Sequence, residues 1–175
     1  KYGWDGTELR AWYREKGRGT WLGGTGNMGF LLYSSTSAYP QGLKIGQTEV
    51  VSISSSSSVT MELWVDYWSP VEPVPAAEVA VVDGFNETGI DGTQWVMQAV
   101  EGQYSTGEVR TDGQGHLWVW VQSDWSQNPL AQEFVATVPQ LPRTNWTAYT
   151  AAKYAADASG RSDMGLGWRF ELSDG

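Results

Sequence analysis

From Val59 to Trp68 the chain alternates between two kinds of side chain. Val59, Met61, Leu63, Val65 and Tyr67 share one face, and Thr60, Glu62, Trp64, Asp66 and Trp68 share the other. Indole faces stack on the apolar faces of pyranose rings, and carboxylates set between them accept hydrogen bonds from ring hydroxyls. A strip of this kind suits a sugar. Trp118, Trp120 and Trp125 add three more indoles in a second Trp-rich stretch. The candidate binding residues are therefore Trp64, Asp66, Trp68, Trp118 and Trp120. The same alternation also serves a two-sided sandwich strand whose indoles lie under a neighbouring sheet or subunit, because large aromatics gather in cores and interfaces.

Two glutamates extend the chemistry. Carboxylates about 5 to 9 Å apart across a cleft, one protonated and one ionised, hydrolyse glycosides, and Glu62 with Glu101 is the candidate pair. Asp83, Asn86, Glu87 and Asp91 cluster hard oxygen donors of the kind a divalent cation takes, although their spacing matches no standard calcium loop. Arg10, Trp12 and Arg14 fall on one strand face, which fits either a cation–π ladder or solvated guanidiniums. His116 has no nucleophile elbow to serve, and no Gly-rich phosphate loop precedes a helix. Asn86-Glu-Thr88 and Asn145-Trp-Thr147 are glycosylation sequons, informative for a chain secreted by a eukaryote.

Composition narrows the field. With no Cys and one His, thiolate nucleophiles, disulfides and multi-histidine zinc sites are excluded, and no cofactor is expected. Eleven Lys and Arg against 20 Asp and Glu give a net charge of −9, so contact with nucleic acid is not expected. From Ile45 to Val109 there are ten acidic residues and no basic one, which reads as a solvated acidic face. No apolar run is long enough to span a membrane as a helix. The chain starts at Lys1 with no charged-then-apolar leader, so a processed chain or a piece of something longer is expected.

The elements that must position these residues are mostly strands. Eleven Trp and eight Tyr amid abundant Gly, Ser and Thr favour β structure. The segments 59–68 and 116–122 read as strands, the second apolar on both faces and hence covered on both. Shorter strands are expected at 9–14, 28–33, 49–53, 79–82, 94–100, 107–110, 133–138 and 168–172, with Asp83-Gly84, Asp91-Gly92 and Asp112-Gly113 as turns. Six Ala between Asn145 and Ser159, a cap at Thr144 or Asn145 and Gly160 beyond the end predict one short helix. Ser54 to Ser58 reads as a loop or a polar strand edge. Pro70, Pro73 and Pro75 predict a hinge over 70–75 between a partial β unit, 1–69, and a β-sandwich interaction domain, 76–175. The expected fold is all-β, an antiparallel sandwich or jelly roll with one short helix near the C-terminus.

Two resemblances add to this. Glu62-Leu-Trp-Val-Asp-Tyr-Trp68 and Gln98-Ala-Val-Glu-Gly-Gln-Tyr-Ser-Thr-Gly107 resemble the two glutamate motifs of family-11 xylanases, small Trp- and Tyr-rich jelly rolls. That resemblance implies a retaining glycoside hydrolase using Glu62 and Glu101. Leu9-Arg-Ala-Trp-Tyr-Arg14, Gly26-Asn-Met-Gly-Phe-Leu-Leu-Tyr33 and Val59 to Pro70 are similar to the closing strands of the shell domain in tombusvirus-like and nodavirus-like capsid proteins, where a proline hinge leads to a β-rich projecting domain. It implies the outer, C-terminal part of a capsid protein, placed at the virion surface or otherwise extracellular. Such a part self-associates in a shell or homo-oligomer and contacts a host receptor or glycan without catalysis, nucleic-acid contact or membrane insertion. A free carbohydrate-binding module with a Trp-lined groove is the other reading.

Overall fold

The computed structural model describes residues 1–50, 59–70, 83–100, 105–123, 132–137, 140–158 and 164–174. In chain order the strands are β1 (Tyr2–Trp4), β2 (Glu8–Ala11), β3 (Phe30–Ser34), β4 (Pro40–Val50), β5 (Val59–Ser69), β6 (Trp95–Val100), β7 (Ser105–Thr111), β8 (Leu117–Ser123), β9 (Gln132–Thr137), β10 (Trp146–Ala158) and β11 (Met164–Leu172). They form two antiparallel sheets, ordered β3-β2-β1-β10-β5-β8-β7 and β11-β4-β9-β6. The fold is an all-β sandwich.

Its core follows from alternation. Leu63, Val65 and Trp68 of β5, Leu117 and Val119 of β8, Val109 of β7 and Ala148 of β10 point inward from the larger sheet. Leu43 and Ile45 of β4, Val135 of β9 and Trp95 of β6 meet them from the smaller one, as two amphipathic sheets must when each has an apolar face to bury. The expected turns are present. Asp112 Oδ1 accepts the amides of Gln114 and His116 at 2.8 and 3.1 Å, shaping the β7–β8 connection. Asp91 Oδ1 accepts the Thr93 amide at 2.9 Å just before β6, and Asp83 Oδ1 accepts the Phe85 amide at 2.6 Å.

The expected helix is not there. Residues 146–158 form β10, a 13-residue strand hydrogen-bonded to β1 on one side and β5 on the other. The helical preference of Ala over other residues is worth at most about 0.7 kcal/mol per position, and a segment of this length is a marginal helix alone. A site between two strands, with Ala148 buried and Trp146 packed on the core, outweighs that preference. The aromatic and β-branched residues Trp146, Thr147, Tyr149 and Thr150 at its start already favour a strand.

Strands on either side of residues 70–75 are interleaved. β1 and β5 flank β10, β5 also pairs with β8, and β4 lies between β11 and β9. Both sheets thus draw on residues 1–69 and on residues 76–175, and the hydrogen bonding is not divided between two units in series. Pro70 is an exposed bend at the end of β5. The expected strand 79–82, the Ser54–Ser58 run, Pro73 and Pro75 lie outside the described residues.

Candidate functional site

The outer face of β10, β5, β8 and β7 carries a lattice of indoles and charges fixed by strand register. In one row Lys153 faces Trp64, Trp64 faces Trp118, and Trp118 faces Arg110. In the next row Ala155 faces Glu62, Glu62 faces Trp120, and Trp120 faces Glu108. Glu62, Trp64, Trp118 and Trp120 are half-buried, and Lys153, Arg110 and Glu108 are exposed. The rings of Trp118 and Trp120 lie nearly parallel, 13° apart with centroids 6.5 Å distant, as residues two apart on one strand face allow. Glu62 Oε2 accepts the Trp118 indole N–H at 3.1 Å, which fixes both side chains. The Arg110 guanidinium stands 4.6 Å from the Trp118 ring centre and the Lys153 ammonium 5.3 Å from that of Trp64. Both cations are in cation–π range.

Trp68 does not join this face. Tyr67 pairs with Ala151 and Val65 with Ala152, so Asp66 is an extra residue on β5 opposite no partner. A bulge of this kind inverts the alternation beyond it. Trp68 is therefore turned into the core, 6% exposed, with its ring 6.2 Å from that of Tyr2. Its backbone exchanges hydrogen bonds of 3.0 and 3.2 Å with Asp83. The expected strip of Glu62, Trp64, Asp66 and Trp68 is thus corrected at its last member.

The bulge also redirects Asp66 into a groove of about 500 Å³ lined by Lys16, Trp64, Asp112, Gln114, His116 and Lys153. Asp66 pairs with Lys16, and its Oδ1 lies 3.5 Å from His116 Nε2. The other imidazole nitrogen, Nδ1, is 2.8 Å from Asp112 Oδ2. Burial alone would raise the Asp112 carboxyl. The amides of Gln114 and His116 and the His116 side chain outweigh it, so the carboxyl is held below its usual range. Asp112, His116, Asp66 and Lys16 form a chain of alternating acid and base along one wall of the groove.

The remaining candidates have other roles. Asp83 Oδ2 accepts the buried Trp95 indole N–H at 2.7 Å, and Asp91 is occupied by Thr93 and by the Gln94 amide at 2.9 Å. Asn86 and Glu87 are exposed. Among the described residues no group of three His, Cys, Asp or Glu is placed to hold a metal ion. Arg10 turns to Glu8 at 2.6 Å and to the Gly29 carbonyl at 2.9 Å, leaving the expected ladder with Trp12. Glu101 and Trp125 lie outside the described residues. Trp64, Trp118, Trp120 and Glu62 were each visible in the sequence, but Lys153 and Arg110 were not. They come to the site because β10 and β7 flank β5 and β8, which strand phase alone does not reveal. No protein-family model, curated protein or solved structure matches this chain.

Proposed function

We propose that this chain is a surface-interaction module that binds carbohydrate on the outer face of its larger sheet, with Trp64, Trp118 and Trp120 as the stacking surface and Glu62 as a hydroxyl acceptor. The observation that carries this reading is the near-parallel Trp118–Trp120 pair beside Trp64, held by the Glu62 hydrogen bond on an open sheet face. Indoles fixed in this way lose little side-chain freedom on binding, which favours a weak planar ligand such as a pyranose ring. Asp66 and His116 in the adjoining groove offer polar partners to hydroxyls beyond the stacked ring. The test is a tryptophan-fluorescence titration with neutral oligosaccharides. Trp118→Ala is expected to weaken binding about tenfold, corresponding to ~1.4 kcal/mol. An unchanged affinity in Trp118→Ala and Trp120→Ala, or no response to any saccharide, overturns the reading.

A second reading, assembly with copies of itself as in a capsid shell, draws on a different observation. β3 ends the larger sheet, and its Phe30, Leu31 and Leu32 are 45%, 53% and 50% exposed. An apolar edge strand is a template for strand pairing, and two β3 edges meeting antiparallel would extend one sheet into another. Sedimentation velocity tests it: a dimer or larger particle that Leu31→Lys returns to monomer supports assembly, and a monomer at all concentrations removes it.

A further inference from the structure

The groove beside Trp64 holds the one histidine of the chain, His116, between two carboxylates. Asp112 Oδ2 lies 2.8 Å from Nδ1, and Asp66 Oδ1 lies 3.5 Å from Nε2. Those two distances fix where the proton sits on the neutral ring. Burial works to raise the Asp112 carboxyl, but the amides of Gln114 and His116 and the His116 side chain outweigh it, so the group is ionised and can only accept. At 2.8 Å Nδ1 must donate to it, and the single proton of the neutral imidazole stays there. Nε2 is then a lone pair, and the Asp66 carboxylate opposite is a second acceptor. Two acceptors form no bond with each other, and their 3.5 Å separation exceeds the roughly 2.7–3.2 Å of a well-formed one. Lys16 pairs with Asp66 through Oδ2, which leaves Oδ1 to the imidazole side. The His116 and Asp66 side chains are 35% and 23% exposed, open to the groove that they line.

We infer that His116 Nε2 and Asp66 Oδ1 form a hydroxyl subsite that is open when the imidazole is neutral and closed when it is protonated. Vicinal hydroxyls of a pyranose supply two donors side by side, one for each acceptor. A ring stacked on Trp64, which belongs to the outer face and also lines the groove, brings its hydroxyls to that subsite. Protonation turns Nε2 into a donor, and it then bonds Asp66 in a charge-assisted pair that takes up both groups at once. A ligand hydroxyl can accept from the protonated ring only by displacing an ionised carboxylate, which is the stronger acceptor. Histidine is the side chain that changes charge between about pH 5 and 8, so the two states exchange within that window. The other charged groups lining the groove are Asp66 from β5, Asp112 from the β7–β8 turn, Lys16 from the segment after β2 and Lys153 from β10. All four are common to the parent and a His116 variant, so the difference between those two proteins isolates the imidazole. The inference rests on the carbohydrate reading of the outer face and adds how that site is regulated.

The experiment is a tryptophan-fluorescence titration of the whole chain with two neutral oligosaccharides, cellotetraose and maltotetraose, at about pH 5 and about pH 8. It is repeated with His116→Gln, with near-ultraviolet circular dichroism reporting folding. The expected result is that the parent binds the tighter of the two roughly tenfold more weakly at the acid pH, while His116→Gln shows no such loss. A second measurement needs no variant. His116 is the only histidine, so its ring C–H proton resonance titrates alone. Saturating oligosaccharide should move the midpoint of that titration to lower pH, because a ligand of the neutral ring competes with the proton. Equal affinity at the two pH values in the parent, the same acid loss in folded His116→Gln, or a midpoint that stays or rises on binding overturns the inference. If an oligosaccharide binds and Trp118→Ala weakens it while pH has no effect, the His116 inference alone falls and the outer-face reading stands. If neither oligosaccharide binds at either pH, both fall.

Discussion

Trp64 and Trp68 stand four residues apart on β5, and an unbroken strand would set them side by side on one face. One extra residue between them, Asp66, separates their fates. Trp64 stays on the outer face beside Trp118, half-buried and under the Lys153 ammonium. Trp68 enters the core with Leu63, Val65 and Ala148. The difference teaches that backbone register alone divides the chain's indoles between the core and the outer face, since the two residues are chemically identical.

The sharpest way to break this comparison is to truncate both. Trp68→Ala opens a cavity in a close-packed core and is expected to cost about 3–5 kcal/mol in urea unfolding. Trp64→Ala removes a half-exposed ring and one cation–π contact, with an expected cost of about 1 kcal/mol. Equal costs would mean that the bulge does not sort the two rings. Gly29→Ala sharpens the contrast from the β3 end of the same sheet. Gly29 has φ +94° and a Cβ there would meet the Trp12 ring at 2.6 Å, so strain and overpacking together are expected to cost about 2–4 kcal/mol. A Gly29→Ala protein as stable as its parent would show that Trp12 is not held by that close approach.

How much of this was readable beforehand depends on which physical signal carried it. The phase of β5 was written in alternation, so Leu63 and Val65 inside and Glu62 and Trp64 outside follow from side-chain type, whereas β8, apolar on both faces, was read as covered on both, and its Trp118 and Trp120 stand half-buried on the outer face. The pairing of those strands was not, because hydrogen-bonded neighbours are chosen by the whole sheet. The bulge at Asp66 has no local signature, and so Trp68 was read onto the wrong face. β4 escaped notice along most of its length because Pro40, Gly42 and Gly46 look like loop residues. Pro40 is tolerated there as the first residue of the strand, where a missing donor costs least. β10 was read as a helix because Ala carries a local preference that the flanking strands override. Arg10, Trp12 and Arg14 were legible only as one strand face. The Lys1 contact with Trp12 and the Arg14 contact with Trp21 are brought in by strand pairing and by the loop after β2.

A smaller effect tests the groove beside Trp64. Asp112 has a carboxyl held below its usual range by the Gln114 and His116 amides and the His116 ring, in spite of burial. A carboxyl depressed in the folded state contributes stability above its unfolded value, near 3.9, and loses that contribution as the pH falls through its folded value. The urea midpoint should therefore decline below about pH 4, and the decline should be shallower in Asp112→Asn, which cannot titrate there. If the two proteins show parallel pH profiles, Asp112 is not coupled to folding.

The smallest expected effect concerns the cations over the outer indoles. Lys153→Met keeps an unbranched apolar stem beside Trp64 and removes the ammonium that stands 5.3 Å from the ring centre. An exposed cation–π contact is worth about 0.5–1 kcal/mol, so stability should fall by no more than that. Binding should move the other way. The ammonium sits over an indole face that a pyranose would need, so its removal uncovers stacking surface and should tighten a neutral oligosaccharide. Weaker neutral-sugar binding in Lys153→Met would instead make Lys153 a hydroxyl partner, with stacking carried by Trp118 and Trp120 and not by Trp64. The Trp64 variant decides between these. A loss of affinity in Trp64→Ala as large as in Trp118→Ala keeps Trp64 in the stacking surface, and none removes it.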